Sequence, residues 1–393
     1  MRSTIFALAL VYICVSKTVA QTTADQVISQ IERNNLELKA LRDQTESQKL
    51  GSKTENNLPD PEVSAYYLPY GTHTGGDYTE FQFSQSFEFP TVYLARKKMI
   101  GEKQQLLDLE YGQKRQQILA KAEKHFLRHT YLSKTLDHLQ DRLRMSEKVY
   151  SQTEELYSKG QINLLELNKA KVVRYKESFE LESVENEKLE IEKTLKAMNG
   201  NQPVEFATSE YGNTLTISSE DSLWAEKERF SPELLALSSQ ERLYEQALKV
   251  QQRKNLPDIS LGANIQGVHN ERHAGFYGGI SLPLWRNKNK VKTAKAKLSA
   301  TKSLAEAKLN EKRTEFSAVY ETFRKTLVKF REYQTVFGEL NDENLLLKAY
   351  CSGEISYTDY YNELRFYRQA ADQLLKVEFE LHQLKAELLK HRL

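Results

Sequence analysis

The chain has 393 residues, 28% of them charged, and a formal net charge of only +2. With a mean hydropathy of −0.63 and no mature apolar run of spanning length, it is not a helical membrane protein. Acids and bases are interspersed, so nothing favours a nucleic-acid partner.

The first residues read as a signal peptide. Arg2 supplies the positive start, Ile5 to Val15 is an apolar stretch too short to cross a bilayer, and Thr18-Val19-Ala20 offers small residues for cleavage before Gln21. Bulky Tyr12 and Ile13 ahead of Cys14 argue against lipidation there. Cleavage leaves Cys351 as the one remaining cysteine, so no internal disulfide is expected.

The remainder is written twice. Asn57-Leu58-Pro59-Asp60 returns as Asn255-Leu256-Pro257-Asp258. Upstream, Leu36 to Leu41 returns as Pro232 to Leu237; downstream, Tyr157 to Ile162 returns as Tyr350 to Ile355. Three anchors in one order, offset by roughly 193 to 198 residues, indicate duplication. The expected divisions are a signal peptide at 1–20, a first repeat at 21–200, a linker at 201–222 and a second repeat at 223–393. Each repeat holds a helix, two strands and a helical hairpin.

Proline placement outlines the elements. None of the eight prolines falls between Pro90 and Pro203 or after Pro283, and these gaps are rich in helix formers, so both read as long helices. Leu132, Leu136, Leu139, Leu143, Tyr150, Thr153 and Tyr157 trace a narrow coiled-coil seam. Ala170, Val173, Leu181, Val184, Ile191, Leu195 and Met198 trace a second. Lys159 to Asn163 between them reads as a C-cap and turn, giving an antiparallel hairpin.

The proline-rich segments alternate with a period of two. Phe81, Phe83, Phe87 and Phe89 alternate with polar residues; so do Ile259, Leu261, Ala263 and Ile265, and then Phe276, Ile280 and Leu282. Val63 to Tyr70 is a weaker member. Gly71 to Asp77 and Gly267 to Gly275 read as the hairpin connections. A half-buried soluble sheet has the same period. However, four amphipathic strands between polar helices have no second sheet to pack on and cannot close alone. The reading adopted is therefore a barrel, with lipid outside, a polar lumen inside, and strands from several subunits.

This order, with its duplicated Leu-x-Leu-x-Ala-Leu, Asn-Leu-Pro-Asp and Phe89-Pro90 or Leu282-Pro283 motifs, resembles the TolC-type outer-membrane efflux family across nearly the whole mature chain. The resemblance implies a mainly α fold: long coiled-coil hairpins forming an α-barrel, plus four strands per chain in a trimeric twelve-strand transmembrane β-barrel. Its implied partners are two further copies in a homotrimer, a periplasmic adaptor, an inner-membrane pump of the resistance-nodulation-division type, and outer-membrane lipid. The adaptor would meet the hairpin tips, Gly160, Gln161, Ile162 and Asn163 in one copy and Gly353, Glu354, Ile355 and Ser356 in the other. By position, the resemblance places a periplasmic gate at Tyr350, Asp359 and Asn362. Asn362 stands where a second acid is usual, and Glu166 and Lys169 occupy the corresponding places in the first copy. The implied location is the outer membrane, with the helices in the periplasm.

Enzyme signatures are missing: there is no nucleophile elbow, phosphate loop or cysteine pair. No cofactor is expected. His125 and His129 lie one helical turn apart without a metalloprotease glutamate and read as packed or hydrated helix residues. His73, His269 and His273 lie in the expected strand connections and are weak metal candidates that read better as exposed loop residues. Tyr66, Tyr67, Tyr70, Tyr78, Tyr93, Phe276, Tyr277 and Trp285 cluster around the strands, as an interfacial belt or as packing. The preferred function is a passive exit duct for small molecules or metal cations. The alternative is an exported soluble coiled-coil scaffold without a transmembrane barrel.

Overall fold

In the computed structural model, Ala24–Asn34 and Leu36–Thr54 form helices α1 and α2, and Glu62–Leu68 and Tyr78–Phe87 form strands β1 and β2. Helices α3 (Pro90–Ser158) and α4 (Leu164–Met198) complete the first half. The second half holds α5 (Glu220–Phe230), α6 (Pro232–Arg253), β3 (Asp258–Val268), β4 (Glu271–Ser281), α7 (Lys290–Leu340), α8 (Glu343–Cys351) and α9 (Tyr357–Leu389). The structure describes residues 24–69, 76–206, 210–211, 214–268, 271–340 and 343–393.

Local chemistry explains where the helices start. Pro90 and Pro232 occupy the first helical positions of α3 and α6, where a missing N–H costs nothing and the fixed φ suits the helix. From Pro90, α3 continues for 69 residues. No proline interrupts it, and Leu, Glu, Lys and Gln predominate.

The chain divides into two compact units. One comprises the N-terminal residues to Asn34 together with His125–Thr214; the other comprises Asn35–Lys124 and Leu215–Leu393. In the first, the buried line on α3 runs through Leu132, Leu136, Leu139, Arg142, Ser146, Val149 and Thr153. The seam thus shifts by one residue from Leu143 and Tyr150, which are half-buried. Asn34 ties α1 to the end of α4, its Nδ2 donating to Asn199 Oδ1 at 3.0 Å and to Gln202 Oε1 at 3.2 Å.

In the second unit, Leu223, Trp224, Leu234, Phe316, Tyr320, Phe323, Phe330, Leu381 and Leu388 form the core joining α5, α6, α7 and α9. Trp224 and Phe316 meet at 5.4 Å between ring centroids. The Lys227 ammonium sits over the Phe316 ring, and burial holds its pKa below the usual lysine range.

The strands of the second unit form one antiparallel sheet in the order β1-β2-β3-β4. Phe81 lies opposite Ala65 and Ile265, and Phe83 opposite Val63 and Ala263, so one face is apolar. That face is uncovered in the chain: Phe81, Val63, Leu261 and Ile280 are exposed, and Phe276 is 95% exposed. The other face is polar and bonded across strands, with the Tyr78 hydroxyl donating to Gln266 Oε1 at 3.0 Å.

The barrel is a correction. The sheet is open, with β1 and β4 as its edges. Four strands about 4.8 Å apart span too narrow an arc to return on themselves. The expected closed barrel is thus corrected, for the described residues of the single chain, to an open four-stranded sheet. What stands is a mainly α chain with one four-stranded sheet. Among the described residues, no helix is long and apolar enough to cross a membrane.

The second strand connection is also shorter than expected. β4 begins at Glu271, with Gly267 opposite Arg272 and Val268 opposite Glu271. Cross-strand pairing carries the ladder through glycines that local composition marks as a loop.

Candidate functional site: two capped hairpin turns

Each long hairpin reverses through the same sequence of backbone events. At the first, Gly160 takes φ +70°, a left-handed conformation that glycine adopts without a Cβ penalty. Its N–H donates to Tyr157 O at 2.9 Å, and the next N–H, of Gln161, donates to Leu156 O at 3.0 Å. This pair of bonds is a Schellman closure, which satisfies carbonyls left open at a helix end. Asn163 then turns extended and its Oδ1 accepts from the Glu166 N–H at 3.0 Å, capping α4.

The second turn repeats this. Gly353 has φ +77°. The Gly353 N–H donates to Tyr350 O at 3.1 Å and the Glu354 N–H to Ala349 O at 2.9 Å. Ser356 is the N-cap of α9: its Oγ accepts from the Asp359 N–H at 3.2 Å and donates to Asp359 Oδ2 at 2.7 Å. The acid at the third helical position thus returns the bond, a variant of the capping box, and its charge suits the positive end of α9.

The expected tip residues fall in these turns. Gly160, Gln161, Asn163, Gly353, Glu354 and Ser356 are exposed, while Ile162 and Ile355 are half-buried. The three gate positions are not presented together. Asp359 and Asn362 are exposed on α9, but Tyr350 is buried on α8. Its ring stacks on Tyr360 at 5.4 Å and meets Tyr357 edge-on at 5.9 Å. Tyr361 in turn stacks on Tyr357 at 6.3 Å. Burial, reinforced by the neighbouring tyrosines, pushes the Tyr357 hydroxyl well above the ordinary phenol range.

The tyrosines of α9 escaped the sequence reading. The signal was present: Tyr350, Tyr357, Tyr360 and Leu364 continue a coiled-coil spacing across the turn, and all are buried. The capping roles of Asn163 and Ser356 were equally legible, each standing three residues before an acid.

Of the metal candidates, His73 and His269 lie outside the described residues. His273 is exposed on β4, opposite Gln266, and so belongs to a strand. Among the described residues, no group of three His, Cys, Asp or Glu is placed to hold a metal. His129 is packed. Its ring stacks on Phe206 at 3.8 Å and its Nε2 lies 3.0 Å from Glu192 Oε1. Burial outweighs that carboxylate and keeps its pKa below the usual histidine value.

Long helical hairpins flanking an open sheet define a structural class, and solved structures share it. CusC, described in connection with folding and transmembrane channel formation, matches with a TM-score of 0.77 and 14% identity over 95% of this chain and 92% of its own. A membrane protein from Pseudomonas aeruginosa gives 0.77 and 13% over 94% and 92%. The outer-membrane protein VceC from Vibrio cholerae gives 0.75 and 15% over 94% and 95%. No protein-family model matches the chain. No curated protein matches it either.

The likeness to the TolC-type outer-membrane efflux proteins is therefore borne out at the level of the fold. The exit-duct function and the outer-membrane location are corrected, because both depended on a closed barrel and the sheet is open.

Proposed function

We propose that the chain is a non-catalytic interaction protein, a coiled-coil scaffold whose hairpin turns are contact surfaces. The supporting observation is the shared construction of the two turns. Left-handed glycines, Schellman bonds and side-chain caps hold short exposed segments in fixed shape, so little ordering entropy is lost when a partner binds. Gln161 and Asn163 present one surface. Glu354, Asp359 and Asn362 present the other, with Tyr350 supporting it from beneath. Helix-in-groove or hairpin-to-hairpin contact suits such ends. The partners on this reading are further copies of the chain, three in all by the resemblance, and a helical adaptor protein that serves an inner-membrane pump of the resistance-nodulation-division type.

Photo-crosslinking residues placed at Gln161 and Glu354, with Lys193 on α4 as a control, test this in cells. Crosslinks to another protein from the two turns but not from Lys193 support the proposal. Turn positions that crosslink no more than Lys193 overturn it.

A further inference from the structure

After α9 the chain makes a short 3-10 turn, Lys390–Arg392, which packs against α5 and α9. Two arginines fasten this segment. Arg392 grips the Glu226 carboxylate of α5 with both arms of its guanidinium, Nε donating to Oε1 at 2.7 Å and Nη2 to Oε2 at 2.8 Å. The planar fork matches a carboxylate and fixes its orientation. From α3, Arg115 Nη1 donates to the Leu393 carbonyl at 2.8 Å.

His391 shares the same carboxylate. Its side chain is 1% exposed, and its Nε2 lies 3.3 Å from Glu226 Oε1, the oxygen that already accepts from Arg392. Its Nδ1 is screened from solvent and has no hydrogen-bond partner among the described residues. A neutral imidazole fits such a place as a flat ring with one polar atom left over. An imidazolium does not: it carries two N–H donors and a full charge, and burial denies it the water that would solvate them.

The surrounding charges are unfavourable to a second cation. On α5, Lys227 faces the ring together with Glu226. The turn itself brings Lys390 and Arg392, and α3 brings Arg115 and Lys124. The end of α9 carries Lys385 and Glu387, but Glu387 pairs with Lys124 at 2.9 Å and with Lys390 at 3.6 Å. Burial is the largest influence on His391 and holds its pKa below the usual histidine value. Arg392 and Lys227 act in the same direction, and Glu226 offsets them only in part.

We propose that His391 is an acid-operated release for the segment 390–393. With the ring neutral, the turn stays seated on α5. When the ring takes up a proton, the imidazolium meets Arg392 and Lys227 around a carboxylate that Arg392 already holds, and the turn leaves α5 so that water can solvate the charge. In the released segment His391 titrates at the ordinary value, about 6.5. The seated form thus binds fewer protons. Seating is complete above about pH 6.5 and is lost as pH falls through the depressed value. The opening is local, with α5 and α9 remaining folded, so it is read at the turn and not in global unfolding.

Two magnetic resonance measurements on the full chain test this. One is the titration of the His391 imidazole, assigned through its backbone. The other is exchange protection of the Leu393 amide, which donates to the Lys390 carbonyl at 3.2 Å in the seated turn. A midpoint below about 6.5 is expected, with protection falling by about fivefold or more between pH 7 and pH 5 after correction for intrinsic exchange. In His391→Phe, which keeps a flat ring and removes the titration, protection should change by less than about twofold over the same range. A midpoint at or above about 6.5, constant protection in the unsubstituted chain, or an equal loss in His391→Phe overturns the proposal. The midpoint and the protection of the unsubstituted chain decide the matter even where the variant does not fold.

Discussion

Replacing Gly160 by alanine isolates one backbone term. The position has φ +70°, and a Cβ built there meets nothing within 4 Å. No steric clash therefore contributes, and the cost is the left-handed penalty itself, about 1–2 kcal/mol. Gly101, inside α3, is the matched control. A Cβ there also meets nothing within 4 Å, but its conformation is helical, so alanine should stabilise by about 0.5–1 kcal/mol. The same chemical change thus has opposite signs at two open positions. Hydrogen exchange of the Gln161 amide, which donates to Leu156 O in the turn, reads the local effect. Its protection should fall by about 5- to 30-fold in Gly160→Ala and should not fall in Gly101→Ala. Equal protection in both variants would refute the view that the turn depends on a left-handed residue.

Removing a cap should have a smaller effect: Asn163→Ala and Ser356→Ala are each expected to cost about 1 kcal/mol, read by exchange of the Glu166 and Asp359 amides. Burial depresses the folded-state pKa of His129 below 6.5, so the imidazole is neutral when folded and gains a proton on unfolding. Stability should therefore be full above about pH 6.5 and decline as pH falls toward the depressed value. Urea midpoints across that window should converge in His129→Phe, and an unchanged pH slope would contradict the assignment. Phe323 is fully buried in the second-unit core. Phe323→Ala should cost about 3–5 kcal/mol in urea unfolding, the range for truncating a large core side chain.

Much of the fold was legible because its periods are strong. Phe81 and Phe83 alternate cleanly, and the stretch after Pro90 lacks proline; both mark element type directly. What depended on pairing between distant residues was not legible. The ladder through Gly267 and Arg272 is set by the partner strand, and the drift of the seam to Arg142 and Val149 follows from how α3 meets its neighbours. The barrel arose from an inference about what must cover an apolar face. Periodicity shows that Phe276 and Ile280 share a face but cannot say what lies against it. At the candidate site, the glycines revealed the turns. The tyrosine packing beneath the second turn was overlooked because Tyr350 was considered singly and not with Tyr357 and Tyr360.

The central proposal is that this chain acts as a scaffold through its capped turns and not as a pore. Reconstitution of the purified full-length chain into planar lipid bilayers tests it most directly. The account predicts no discrete conductance steps above those of protein-free membranes. Reproducible unitary steps that depend on this protein would contradict it.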